Sequence, residues 1–281
     1  MTVILSLFLG LVQGITEFLP ISSSGHLSIL QNLLNMEYSE ESHLLFDVLL
    51  HLGTLVSICV VYRKEIREMI SDGIEYLQRR SDTDRDEPIT LKPPARALLF
   101  VLVGTIPMFI ALIFASSVAR LFFNTVFIGF MLLITGGLLY VSDKHITKGN
   151  KTEKTMTIVD AIIIGLSQAA AILPGLSRSG TTISVGLARG LNSGFAVRFS
   201  LLLSIPAVFG ATVVSLYKAI RGGADFSLFL TYFAGFIVAA VIGFFAIQLL
   251  RRLMAKGGFG KFAYYCWAVG GLTIIVSLIV N

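Results

Sequence analysis

The chain is short of charge: Asp, Glu, Lys and Arg make up 14% of its 281 residues, whereas soluble domains carry about 25%. Hydrophobic residues make up 55% and the mean hydropathy is +0.82. An ordinary soluble domain is thereby excluded, and a polytopic membrane protein is expected. Cysteine is nearly absent. Cys59 and Cys266 each stand inside an apolar run, which leaves no disulfide framework and no cysteine metal-ligand spacing. The first apolar stretch lacks a basic leader and carries Gln13 and Glu17 before any small-residue cleavage site, so a removable signal is not expected and Met1 should remain. The formal net charge is +5, but the basic residues lie mainly between apolar segments, as membrane orientation requires. Nucleic acid is not an expected partner.

A spanning helix needs about 20 mostly apolar residues, and six segments meet that: Leu44–Tyr62, Ala97–Val118, Val126–Ser142, Val197–Tyr217, Phe226–Leu250 and Phe262–Val280. Two further apolar regions, 2–36 and 158–191, are broken in the middle by Pro and a run of Ser and Gly. Their second halves, Leu27–Met36 and Ile183–Leu191, are too short to cross. Each region is expected to be a re-entrant helical hairpin, because irregular backbone at membrane depth survives only where it is buried in protein or lines a wet cavity. Under this scheme one side receives sixteen Lys and Arg, in loops 63–96, 143–157 and 251–261, and the other side only Arg120, Lys218 and Arg221. The richer side is then cytoplasmic, and both termini lie outside. Loop 63–96 should begin as an amphipathic helix, since Ile66, Met69, Ile70, Ile74 and Leu77 recur at helical spacing. Its later part, SDTDRDEPITLKPP, reads as turn and linker.

The hairpins repeat one another. Gln13 matches Gln168, Ser22 matches Ser177, and Ser24-Gly25 matches Ser179-Gly180, all at an offset of 155, while Leu19-Pro20 matches Leu173-Pro174 at 154. Each half, roughly 1–142 and 158–281, is one hairpin plus three spans. An odd number of spans inserts the halves in opposite orientations, so the fold class expected is an all-α, six-span membrane domain with two re-entrant hairpins arranged as an inverted repeat. Its site should lie where the hairpin tips meet.

Those tips hold residues that are costly at membrane depth. From QGITEFLPISSSGH come Gln13, Glu17, Ser22, Ser23, Ser24 and His26; from LPGLSRSGTT come Ser177, Arg178, Ser179, Thr181 and Thr182. Gln13 and Glu17, four apart, share a helix face. Each tip begins a short helix whose free N–H groups favour an anion such as phosphate. Arg178 adds a planar cationic fork. His26 and Glu17 are suited to proton transfer, and Ser23 to nucleophilic attack. Together these describe phosphoryl transfer or hydrolysis, with Gln13, Ser22, Ser24, Ser177, Ser179, Thr181 and Thr182 as phosphate contacts. Asp47 and His51, four apart in the first span, either pair with each other or support the site. His43 and His145 are expected at solvated membrane edges.

The two motifs, and the likeness along nearly the whole chain including FDVLLHLGT, resemble the bacterial undecaprenyl-diphosphate phosphatases of the bacitracin-resistance type. The resemblance implies an enzyme of the bacterial cytoplasmic membrane that hydrolyses undecaprenyl diphosphate to the monophosphate carrier lipid for cell-wall synthesis. It also implies bacitracin tolerance, a polyprenyl diphosphate substrate, dependence on a divalent cation (Mg2+ or Ca2+), and an active site facing the outer side. Carried over by motif, the catalytic residues are Glu17, Ser23, His26 and Arg178, with Glu17 as metal ligand. The family's paired acidic motif admits Glu or Gln at its first place, and here Gln13 stands there, so two carboxylates cannot share a metal at that pair. A homodimer is among the expected partners. Two rivals belong to other classes. One is a lipid-phosphate flippase or transporter built on the inverted repeat. The other is a membrane phosphatase of the type-2 phosphatidic acid class, to which SSSGH bears a partial likeness, but Ser184 stands where that class wants a His.

Overall fold

The computed structural model describes residues 1–34, 40–81, 90–143, 149–222 and 226–280. Side-chain positions at 40–44, and with them His43, lie outside the described set, as do His145 and most of the expected linker after residue 81. Among the described residues the structure is helical: α1 Val3–Phe18, α2 Ser23–Leu33, α3 Glu40–Val61, α4 Arg63–Ser81, α5 Pro93–Ile113, α6 Ala115–Ala119, α7 Thr125–Asp143, α8 Ile158–Ala170, α9 Arg178–Ala188, α10 Ser193–Arg221, α11 Phe229–Ala255 and α12 Lys261–Val280. Large apolar side chains stand on the outside, among them Ile4, Phe109, Leu230 and Leu272. So much exposed apolar surface is the signature of a lipid-facing wall.

Among the described residues five helices, α5, α7, α10, α11 and α12, are long and apolar enough to cross a membrane, and α3 with α4 makes a sixth candidate bent by 75°. The span expected at Leu44–Tyr62 is thus the weakest. Its helix carries Asp47 and His51, and both line a cavity described below. The span expected at Ala97–Val118 is also shorter, ending at Ile113. There the Phe114 N–H closes a tight turn on the Ala111 carbonyl at 3.0 Å, and α6 starts a new helix. α4 is helical as expected but carries two apolar faces: Met69 is buried and Ile66 half-buried, while Ile70, Ile74 and Leu77 are exposed. Lys92 anchors this helix with a 2.6 Å hydrogen bond to Glu75.

The two halves exchange partners. α1 packs along α11 and α8 along α5, while α3 pairs with α10 and α7 with α12. Close approaches between these helices occur at glycines related by the repeat. A Cβ on Gly10 would lie 2.4 Å from the carbonyl oxygen of Gly235, and a Cβ on its counterpart Gly165 would lie 2.2 Å from that of Gly104. Small residues let membrane helices meet backbone to backbone. Gly165→Ala is therefore expected to cost about 1–3 kcal/mol, the usual range for overpacking, seen as a lower melting temperature in detergent. Gly137→Ala is the control, because a Cβ there meets nothing within 4 Å.

Candidate active site

Both hairpins are closed by the same local chemistry. In the first, the Ser22 hydroxyl accepts the Gly25 N–H at 3.2 Å and lies 3.3 Å from the Ser24 hydroxyl. In the second, the Ser177 hydroxyl accepts the Gly180 N–H at 3.1 Å and lies 3.3 Å from the Ser179 hydroxyl. Serine suits an N-cap because its oxygen satisfies an N–H that has no helical partner. The Ser-Gly runs are therefore the first turns of α2 and α9, and the hairpin breaks fall just before them. Gly25 sits against Gly175 of the other hairpin, and Gly180 against Pro20. The tips touch.

Ser22 has φ of 71° and is the one non-glycine residue with positive φ among those described. Such a conformation costs of order 1–3 kcal/mol and persists only when its surroundings enforce it. Here the Ser22 carbonyl accepts the His26 backbone N–H at 3.2 Å and its ring Nδ1–H at 2.8 Å.

Glu17, at the end of α1, is buried and is the hub of the site. One carboxylate oxygen, Oε1, pairs with the Arg178 guanidinium of α9. The other, Oε2, accepts the Ser23 hydroxyl at 2.5 Å and the Gln13 amide at 3.0 Å. His51 of α3 places Nε2 3.9 Å from the same oxygen. Its Nδ1 lies 2.8 Å from the Asp47 carbonyl, and since a carbonyl only accepts, that nitrogen carries a proton and Nε2 is the one turned toward Glu17. A buried carboxylate tolerates its charge when it is paired and fully hydrogen-bonded, as here.

A cavity of about 350 Å³ opens beside this cluster. Glu17, Ser22, Ser23, Ser24, Ser177 and Arg178 form part of its wall, with Asp47, His51 and Gln168. The rest is largely apolar: Met108 of α5 and Ala207, Val208 and Ala211 of α10. The cavity thus has a polar end and an apolar side.

Not every residue expected at the site reaches it. Gln13 touches the cavity only through Glu17. Ser179 donates to the Leu19 carbonyl at 3.4 Å, and Thr182 lies 2.6 Å from the Ser200 hydroxyl. Both hold helices together and neither lines the cavity. The Thr181 hydroxyl is buried without a hydrogen-bond partner among the described residues and is likewise off the cavity wall. His26 turns away: its Nε2 lies 2.8 Å from the Tyr265 hydroxyl, and its ring stacks on Tyr265. With Nδ1 on the Ser22 carbonyl, both ring nitrogens are engaged, and Ser23 hands its hydrogen to Glu17. Gln168 was legible as the repeat partner of Gln13, whereas no local pattern points to Tyr265.

Among the described residues no three His, Cys, Asp or Glu side chains converge as metal ligands. Hard divalent cations prefer oxygen, and the carboxylates on the cavity wall are Glu17, shared with Arg178, and Asp47, whose Oδ1 accepts the Gln31 amide at 3.1 Å. The donor set suits a cation that arrives on phosphate oxygens and does not form a closed protein cage.

A family model described as bacitracin resistance protein BacA matches residues 6–272. The chain belongs to this family. Relatives named undecaprenyl-diphosphatase include those of Halothermothrix orenii, 40% identical over 273 residues and covering 96% of both chains, and Methanobrevibacter smithii, 40% identical over 284 residues and 99% of both. That of Methanosphaera stadtmanae is 38% identical over 285 residues and 98% of both. The BacA match spans both hairpins and therefore the whole Glu17–Ser23–Arg178 cluster.

Proposed function

We propose that this chain is an undecaprenyl-diphosphatase of a cell membrane, hydrolysing the diphosphate lipid to undecaprenyl phosphate and inorganic phosphate. The observation that carries the mechanism is the Ser23 hydroxyl donating to a Glu17 carboxylate that is itself held by Arg178. Nucleophile, base and cationic clamp are in direct contact at the polar end of a cavity whose apolar side can take a prenyl chain.

In the reaction, the Ser23 oxygen attacks the terminal phosphorus as its proton passes to Glu17. The bond from that phosphorus to the bridging oxygen breaks, and its electrons leave on the polyprenyl phosphate. Water then attacks the phosphoserine and passes a proton to His51 or solvent; the phosphorus bond to the Ser23 oxygen breaks, and Glu17 returns its proton to that oxygen as inorganic phosphate leaves. Arg178, Ser177 and the α2 and α9 N-termini offset charge on the phosphoryl oxygens, and such electrostatic stabilisation supplies most of the rate enhancement in phosphoryl transfer. His51 faces the base from the cavity side and is better placed for proton exchange with Glu17 than His26, which braces the tip through Ser22. A divalent cation, Mg2+ or Ca2+, would be held by Glu17 and the substrate's phosphate oxygens and would neutralise diphosphate charge.

The lopsided distribution of Lys and Arg supports both termini outside, and the exchanged helix pairing supports insertion of the halves in opposite orientations. The cavity is proposed to open to the outer face. A flippase reading needs alternating access, which no observation here favours over hydrolysis.

Rapid quenching with substrate labelled at the terminal phosphate tests the covalent step. Label is expected on the chain at Ser23, with phosphate release by Ser23→Ala down at least 100-fold. An unlabelled chain together with a Ser23→Ala variant within a few-fold of normal would establish direct attack by water instead.

A further inference from the structure

The repeat places Gln168 on α8 where Gln13 stands on α1, but the two amides meet different neighbours. Four residues after Gln13 comes Glu17, which accepts its N–H. Four residues after Gln168 comes Ile172, which has nothing to offer it. Gln168 is 1% exposed, and neither its Nε2 nor its Oε1 has a hydrogen-bond partner among the described residues. Buried amides are nearly always bonded, so this one calls for a ligand. Gln168, Ala171 and Ile172 all line the cavity. Gln168 stands in the last turn of α8, and Ala171 and Ile172 follow as the chain leaves the helix, so the C-terminal end of α8 forms this part of the wall.

The location says which part of a ligand meets it. α8 packs against both α9, which carries Arg178 just after Ser177, and α5, which carries Met108. α8 thus adjoins the helix that carries the phosphoryl clamp and a helix that carries part of the apolar wall. In a polyprenyl diphosphate, the group lying between the terminal phosphate and the prenyl chain is the inner phosphate. We infer that Gln168 donates its amide N–H to that inner phosphate, and so holds both the diphosphate substrate and the monophosphate product. This rests on the hydrolase reading above. It assigns to the second hairpin a role in binding the lipid-linked phosphate apart from the charge clamp.

The two products separate the two phosphate positions. Undecaprenyl phosphate keeps the inner phosphate, and inorganic phosphate carries only the terminal one. Product inhibition of the full-length protein in detergent is measured for wild type and for Gln168→Leu, which keeps the bulk and loses the amide. The inhibition constant for undecaprenyl phosphate and the KM for the diphosphate are expected to rise about tenfold, about 1.4 kcal/mol of binding. The inhibition constant for inorganic phosphate and kcat are expected to stay within twofold. Unchanged undecaprenyl phosphate inhibition, or a rise confined to inorganic phosphate, would overturn the assignment. If Gln168→Leu does not yield a monodisperse protein, Gln168→Glu serves: it is nearly isosteric, replaces the donor with a charge that repels phosphate, and should raise the same two constants further. A wild-type protein that releases no phosphate from the diphosphate would sink the hydrolase reading itself, which is a distinct result.

Discussion

Phosphate release by Glu17→Gln is expected to fall about 100- to 10,000-fold, the range lost with a positioned general base. Glutamine keeps the shape of the side chain and can still accept from Ser23, but it cannot take the proton as the serine oxygen attacks. Structure and chemistry are separable in this variant. Removing one partner of a buried ion pair destabilises by about 3–5 kcal/mol when the other charge is stranded, but the Arg178 side chain is 21% exposed to the cavity, so solvent reduces that penalty. A melting temperature only slightly below wild type, with turnover down by orders of magnitude, is the expected pair of results. Near-normal turnover would remove Glu17 from the mechanism.

The second large effect is at Arg178. Arg178→Ala should lower kcat about 100- to 1000-fold, as loss of a donor aimed at developing charge does in other sites. Arg178→Lys should recover only part of it, because a point charge on a flexible stem cannot hold two oxygens in the geometry of the guanidinium fork. Since Glu17 and Arg178 hold one another, the two losses should not add. Glu17→Gln combined with Arg178→Ala is expected to be little worse than the poorer single variant, as for residues that act as a unit. Full additivity in steady-state kinetics would mean that the pair seen here does not persist in the working enzyme.

These expectations turn on contacts of which the sequence shows only some. Glu17 and Gln13 share a face of α1 by spacing alone, and the serine caps of α2 and α9 follow from Ser-x-x-Gly at each tip. Their hydrogen bonds are within one helix or one turn, where geometry follows from local chemistry. The assignment of histidines was less accessible. His26 stands three residues from Ser23, so proximity in sequence favours it, yet the positive φ of Ser22 and the distant Tyr265 hydroxyl turn its ring away. His51, 34 residues beyond Glu17 and on another helix, reaches the carboxylate because α3 packs against α1. Thr181 and Thr182 read as phosphate contacts by motif, but α9 turns both off the cavity wall.

Composition, the two broken apolar regions and the offset of 155 residues were enough for a helical membrane protein with a doubled motif, because apolar length and polar cost at membrane depth are properties of short segments. Which side chain meets Glu17, and which amide is left for a ligand, depended on how α3, α8 and α9 cross. Those crossings depend on backbone approaches at glycines such as Gly53 of α3 and Gly165 of α8, which face the Phe236 and Gly104 carbonyls many tens of residues away, and no local pattern encodes where such contacts lead.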